Sequence, residues 1–187
     1  MKRLSKRFYL GSIIGGMVGG IVLLVAAVFL FFLAGVFIGH FPNFSDASMG
    51  TLAIGILLIL LGCAALLFST SIWYILLYRA WEAIDDGNAR TTPGKAVGLL
   101  FIPFFNFYWI FVAWYGFAQD YNRYIERHGV GARKLEGSLF LTCSILSIFG
   151  MIPFIDYVAG LPLLVIFIIT TNIAIDAVNA LPIASPG

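Results

Sequence analysis

Apolar residues run through this chain in long blocks, broken by short polar stretches. Neither the two-residue alternation of a half-buried strand nor the narrow stripe of a soluble helix describes these blocks. The first, 10–39, is about 30 residues long, or about 45 Å of helix at 1.5 Å per residue. A bilayer's hydrocarbon core is about 30 Å thick, so the block predicts a membrane helix that tilts or emerges. A polar loop containing Pro42, Asn43 and Asp46, with no Lys or Arg, precedes a second predicted span at 51–78. Two further spans are predicted at 138–155 and 158–180. They form a tight hairpin where Pro153, Asp156, Gly160 and Pro162 cluster.

The segment 93–128 reads differently. Thr92-Pro93 is a good helix start, because proline lacks only an amide hydrogen that would be unpaired there anyway. The helix then meets Pro103 and Asn106 inside the aromatic run Phe101-Ile-Pro-Phe-Phe-Asn-Phe-Tyr-Trp109. From Phe107 a helical pattern resumes, with Phe111, Trp114, Ala118, Tyr121 and Ile125 on one side and Gln119, Asn122, Arg123 and Glu126 on the other. Arg127 and His128 precede Gly129, a plausible stop. Part of the aromatic run echoes later: Ile102-Pro-Phe-Phe-Asn-Phe107 and Ile152-Pro-Phe-Ile-Asp-Tyr157 share a helix-ending proline, aromatic anchors and an Asn or Asp suited to a turn.

Charge decides how 93–128 is read. The eleven Lys and Arg fall in three groups: Lys2, Arg3, Lys6 and Arg7; Arg79, Arg90 and Lys95; and Arg123, Arg127, Arg133 and Lys134. Short cytoplasmic loops carry an excess of Lys and Arg. If 97–118 enters and returns, or lies along the interface, all eleven stay on one side. The predicted fold is therefore an all-α integral membrane protein in a single membrane domain. It has a bundle of four transmembrane helices plus one broken re-entrant or interfacial segment at 93–128. Five full spans are the alternative, reached if 97–118 crosses. The basic N-terminus is expected on the cytoplasmic side of a multi-pass membrane protein. The first apolar run is about twice as long as a secretory signal core, so it is expected to be retained.

Composition agrees with this solvent. The chain is 61% hydrophobic and 11% charged, with a mean hydropathy of +1.00, whereas a soluble domain carries about 25% charged residues. A net charge of +2 resembles no nucleic-acid face, and no nucleic-acid partner is expected. Cys63 and Cys143 sit within apolar runs and read as small buried hydrophobes. No metal and no cofactor is expected from so few Cys and His.

Candidate chemistry is thin. Gly11, Gly15 and Gly19, with Gly16 and Gly20 beside them, have the four-residue spacing that lets membrane helices pack closely. Asn172, Asp176 and Asn179 share a face of the last helix and, with Asn106, are candidates for an ion or polar path. The plainer reading is that Asp176 is wet or paired with Arg79, Arg90 or Lys95, and that Asn106 satisfies backbone at a turn. Arg90 and Lys95 flank a helix start and, with Arg123, are candidate lipid-headgroup contacts. Gly94-Lys95 is not a nucleotide loop, since Ala89 and Ala96 occupy positions that motif needs for Gly and Ser or Thr. His40 and His128 are predicted on opposite faces, and no catalytic residue is assigned.

The stretch Arg90-Thr-Thr-Pro-Gly-Lys-Ala-Val-Gly-Leu-Leu-Phe-Ile-Pro-Phe-Phe-Asn-Phe-Tyr-Trp109, continuing to Tyr124, resembles a segment of uncharacterised bacterial polytopic membrane proteins. Some of these join it to a small GYF-like domain. The resemblance implies a protein of the bacterial cytoplasmic (inner) membrane centred on this segment and implies no activity. The expected function is a non-enzymatic membrane scaffold or sensor. It would associate with itself or another membrane protein through its glycine-rich first helix and its cytoplasmic loops. The alternative is a small channel or transporter built from 97–118 and the Asn172/Asp176/Asn179 face. A lipid-modifying enzyme stands third, without a nucleophile or metal site to support it.

Overall fold

A computed structural model of the chain describes residues 3–40, 45–152 and 155–182. Lys2, Pro42, Asn43, Pro153 and the side chains of Asp46 and Asp156 lie outside the described part. Every regular element among the described residues is helical. In order these are α1 (Lys6–His40), α2 (Ser45–Ala83), α3 (Pro93–Gly98) with a 3₁₀ turn (Leu99–Phe101), and α4 (Phe105–Ile110). A π-helical turn (Phe111–Tyr115) follows, then α5 (Gly116–Arg127), α6 (Gly137–Phe149) and α7 (Asp156–Ala180). Three stretches, Lys6–Leu33, Gly50–Ala83 and Ala159–Ala180, are long and apolar enough to cross a membrane. The chain divides into two compact units: Gly11–Trp73, and Met1–Leu10 with Tyr74–Gly187.

The first unit is an antiparallel pair made from α1 and α2, and it contains no Lys or Arg. Small residues let the two backbones close. A Cβ on Gly16 would lie 2.8 Å from the Ser69 Cβ and 3.0 Å from the Ala65 carbonyl oxygen. A Cβ on Gly20 would lie 2.7 Å from Leu66 and 3.0 Å from the Gly62 carbonyl oxygen. The buried Ser69 hydroxyl donates to the Ile13 carbonyl at 2.6 Å, so a polar bond reinforces the seam. Away from the seam the helices remain apolar, as at Val25, Val28, Leu60 and Leu67. An all-round apolar surface suits lipid and not water. Cys63 is exposed on this unit, whereas Cys143 of the second unit is buried, so only Cys143 takes the buried position expected of both.

The second unit packs α4, the π turn and α5 among the end of α2, α6 and α7. The Trp114 indole N–H reaches the Thr170 hydroxyl at 3.4 Å, and the Tyr121 hydroxyl donates to the Ala177 carbonyl at 3.1 Å. Both pairs are 56 residues apart, so this helix runs parallel to α7. Thr170 also reaches the Cys143 sulfur at 3.7 Å, seating α6 on α7. The core consists of Leu76, Trp81, Trp114, Phe117, Phe140 and Ile175, each no more than 1% exposed.

Helix ends differ from the sequence expectation: α1 and α2 begin earlier, at Lys6 and Ser45, and three further differences follow. α2 continues past 78 to Ala83, where Ala80 and Trp81 are fully buried and Arg79 pairs with Glu82 one turn on at 3.0 Å. α6 stops at Phe149 before Gly150 and not at 155. At 13 residues it is about 20 Å long, shorter than a full hydrocarbon core. α4 begins at Phe105, so Asn106 lies in its first turn and the interruption falls at Ile102–Phe104. Proline explains the shift. It pushes the preceding residue to an extended conformation, and Ile102 has φ −82 and ψ 116.

Candidate functional site: the aromatic hairpin

The segment from Pro93 to Arg127 is a helical hairpin. α3 and its 3₁₀ turn form the short arm, and α4, the π turn and α5 form the long one. The reversal is made by Pro103 and by Phe104, whose φ of +63 is rare for a residue with a bulky side chain. Asn106 N–H donates to the Ile102 carbonyl across the turn at 3.1 Å. Further down, the Trp109 indole N–H lies 3.1 Å from both the Lys95 and Ala96 carbonyls and ties the arms together. Phe105 stacks on Trp109 with centroids 5.4 Å apart. Phe101, Phe104 and Tyr108 are exposed around the tip, Phe104 by 84%.

At the open end of the hairpin a buried carboxylate closes the structure. Asp120 is 4% exposed. It accepts from the Arg90 backbone N–H at 2.8 Å and the Arg90 Nε at 3.1 Å, and lies 2.8 Å from the Arg123 guanidinium. Arg90 also donates to the Gln119 amide oxygen at 2.7 Å. Gly116 makes room for this, because a Cβ there would sit 3.1 Å from an Arg90 guanidinium nitrogen. A second tie joins the chain after α2 to the end of α5: Arg127 meets Asp86 at 2.8 Å, with His128 at 3.8 Å. Burial pushes the Asp86 carboxyl up. The Asn88 backbone N–H and the Arg127 guanidinium outweigh it and hold the group below its ordinary value.

Beyond the hairpin, Gly129 adopts φ +61 and lets the Val130 N–H return to the Ile125 carbonyl at 2.9 Å. This is the left-handed helix stop that glycine favours. The Asn122 side chain then holds the Leu135 backbone from both sides, at 2.9 and 2.7 Å.

The candidate residues separate into distinct environments. Arg90 and Arg123 meet at Asp120, and the Lys95 side chain is exposed on α3. Asp176 pairs with Lys6 at 2.7 Å and not with Arg79, Arg90 or Lys95, because the N-terminal segment lies beside it while Arg79 and Arg90 pair with Glu82 and Asp120. The Asn179 amide grips the Leu4 backbone, accepting from its N–H at 2.7 Å and donating to its carbonyl at 2.9 Å. The polar face of α7 is thus engaged by the N-terminal segment, with Asn172 half-buried further along. Asn106 Oδ1 is buried without a hydrogen-bond partner among the described residues, as is the Thr171 hydroxyl. Gly16 and Gly20 face α2, whereas a Cβ on Gly11, Gly15 or Gly19 would meet nothing within 4 Å.

Sequence reasoning overlooked Asp120 and Asp86 as anchors, and it expected Trp81 among helix-end aromatics of the headgroup zone, whereas Trp81 is fully buried. Asp120 lies three residues after Phe117 and one before Tyr121 on the buried side of α5, and an acid within an apolar face is a signal that it has a partner. Trp81 donates its indole N–H to the Ala113 carbonyl at 2.9 Å. That carbonyl belongs to the π turn, where the widened helix loosens its own hydrogen bonding. Nothing local to Trp81 announces such an acceptor. Among the described residues, no group of three or more His, Cys, Asp or Glu is gathered to hold a metal ion.

No protein-family model, curated protein or solved structure matches this chain. The fold therefore defines a class: an all-helical protein with three helices able to span a membrane. Its apolar surfaces are compatible with a life in the bilayer.

Proposed function

We propose that this protein is a non-enzymatic membrane scaffold or sensor of a bacterial inner membrane, which associates with itself through one face of α1. The observation that carries this reading is the division of the glycines. Gly16 and Gly20 are filled by α2, while Gly11, Gly15 and Gly19 face open space. Between membrane helices association depends on close packing, because lipid is as apolar as the side chains. An open row of small residues gives a second helix a place to approach. The loops around 79–95 and 119–137 are the surfaces offered to a partner protein.

Mass measured in nanodiscs or mild detergent tests this. Gly15→Leu and Gly19→Leu are expected to convert the oligomer to a monomer with helicity unchanged. Gly16→Val and Gly20→Val are expected to disrupt the α1–α2 pair itself. A wild-type strict monomer would sink the proposal.

For topology we read four spans, α1, α2, α6 and α7, with the hairpin re-entrant and the bilayer thinned around the short α6. The reversal at Phe104 supports this, as does arm length. From Pro93 to Phe101 is nine residues, about 14 Å of helix and half a bilayer core. A reporter fused after Gly131 is expected on the cytoplasmic face, and an external signal would restore the five-span alternative. The channel reading has less support, because Lys6 and Leu4 engage Asp176 and Asn179.

A further inference from the structure

A groove of about 420 Å³ runs between the end of α2 and α3, lined by Tyr74, Ile75, Tyr78, Arg79, Glu82 and Val97. We propose that it binds one glycerophospholipid with a primary-amine headgroup. An acyl chain lies against Ile75, Tyr78 and Val97, the phosphate meets Arg79, and the ammonium meets Glu82. This rests on α2 crossing a bilayer and not on self-association.

The polarity of the wall changes as a lipid's does. Residues 75, 78, 79 and 82 share one face of α2 at three- and four-residue spacing. Within about one turn, 5.4 Å, that face passes from apolar to charged. Ile75 and Tyr78 are 48% and 42% exposed, so the apolar part is open to a ligand. At the rim, Arg79 and Glu82 lie 3.0 Å apart with their side chains 48% and 40% exposed. A guanidinium has five N–H donors and a carboxylate has two acceptor oxygens. Their mutual bond uses one donor and one oxygen.

Such a rim selects among headgroups. A purely anionic headgroup at Arg79 also meets the repulsion of Glu82. A zwitterion sets its anion against Arg79 and its cation against Glu82. A primary ammonium can donate hydrogen bonds to the carboxylate, and a quaternary ammonium cannot. Charge complementarity therefore points to ethanolamine over glycerol or choline headgroups. The groove's volume, near the lower end of ordinary ligand pockets, fits one chain and not a whole two-chain lipid.

The test uses the full chain reconstituted with equal amounts of phosphatidylethanolamine, phosphatidylcholine and phosphatidylglycerol, then released into detergent for native mass spectrometry. One retained phosphatidylethanolamine is expected, in about fivefold preference, a modest factor because the ionic contacts are exposed. Glu82→Gln is expected to bring ethanolamine and choline lipids to parity. Arg79→Gln should weaken retention of every headgroup, and Val97→Trp should fill the groove and abolish retention. Equal retention of the three lipids, a preference for phosphatidylglycerol, or an ethanolamine preference that survives Glu82→Gln would overturn the proposal. Glu82 is exposed, so that variant folds and the test stands even if Val97→Trp does not.

Discussion

Trp114→Ala is expected to lower stability by about 3–5 kcal/mol, the range for truncating a fully buried tryptophan. Trp114 is 1% exposed, stacks on Phe117 at 6.4 Å and lies 5.3 Å from Phe140. It belongs to the hairpin's long arm and packs on α6, and its indole N–H points to Thr170 on α7. The alanine leaves a cavity that three helices would have to collapse together to fill. Interiors of this kind depend on dispersion summed over many contacts, so the loss is large even where lipid replaces water as the reference. Trp114→Phe keeps much of the ring contact and gives up the indole N–H, including its 3.4 Å bond to Thr170, for which about 1 kcal/mol is expected. Reversible unfolding in mixed micelles measures both. An alanine variant within about 1 kcal/mol of wild type would contradict the packing described, since that is the cost of a single hydrogen bond.

Asp120→Ala is expected to cost about 2–3 kcal/mol, below the 3–5 kcal/mol of a fully buried ion pair because its partners keep some contact with solvent. The Arg90 side chain is 29% exposed and that of Arg123 is 56% exposed. The substitution removes the acceptor for the Arg90 backbone N–H and leaves a half-buried guanidinium packed over Gly116. The open end of the hairpin should loosen, so amide exchange should rise across 88–96 before it rises in the core. Asp120→Asn retains an oxygen for the backbone N–H and should fall between the two. Arg123→Gln should shift stability by less than about 0.5 kcal/mol, because an exposed ion pair contributes little. An Asp120→Ala protein with unchanged exchange over 88–96 would show that the carboxylate does not hold the hairpin.

Both residues show where reading along the chain succeeds and where it stops. Trp114 was recognisable as core, since it shares a helical period with Ala118, Tyr121 and Ile125, and all four are buried. Period is a local property, written in residues a turn apart. The Thr92-Pro93 start and the Gly129 stop were legible for the same reason, because each depends on the φ and hydrogen-bonding limits of one or two residues. Asp120 was invisible as an anchor because its partner Arg90 is 30 residues away. Its own neighbours offer no base that would identify it beyond Arg123. Asp176 and Asn179 share the face of α7 that their spacing predicts. Their partners, Lys6 and Leu4, lie 170 and 175 positions earlier, and no spacing rule reaches so far.

Hydropathy is additive along a segment, and by itself it determined the helical class and the approximate places of three helices long and apolar enough to cross a membrane. The fixed φ and missing N–H of proline determined that the aromatic segment would break at Pro103, whereas Asn106, expected in the break as well, lies within α4. The glycine rows mark the limit. Gly15 and Gly16 are adjacent in the chain and belong to rows of identical spacing, about 100° apart around the helix. Only the position of α2 decided that Gly16 and Gly20 are filled while Gly11, Gly15 and Gly19 stay open. Spacing constrains a helix's own geometry, whereas a contact depends on where a second helix lies, and that is set by packing across the whole fold.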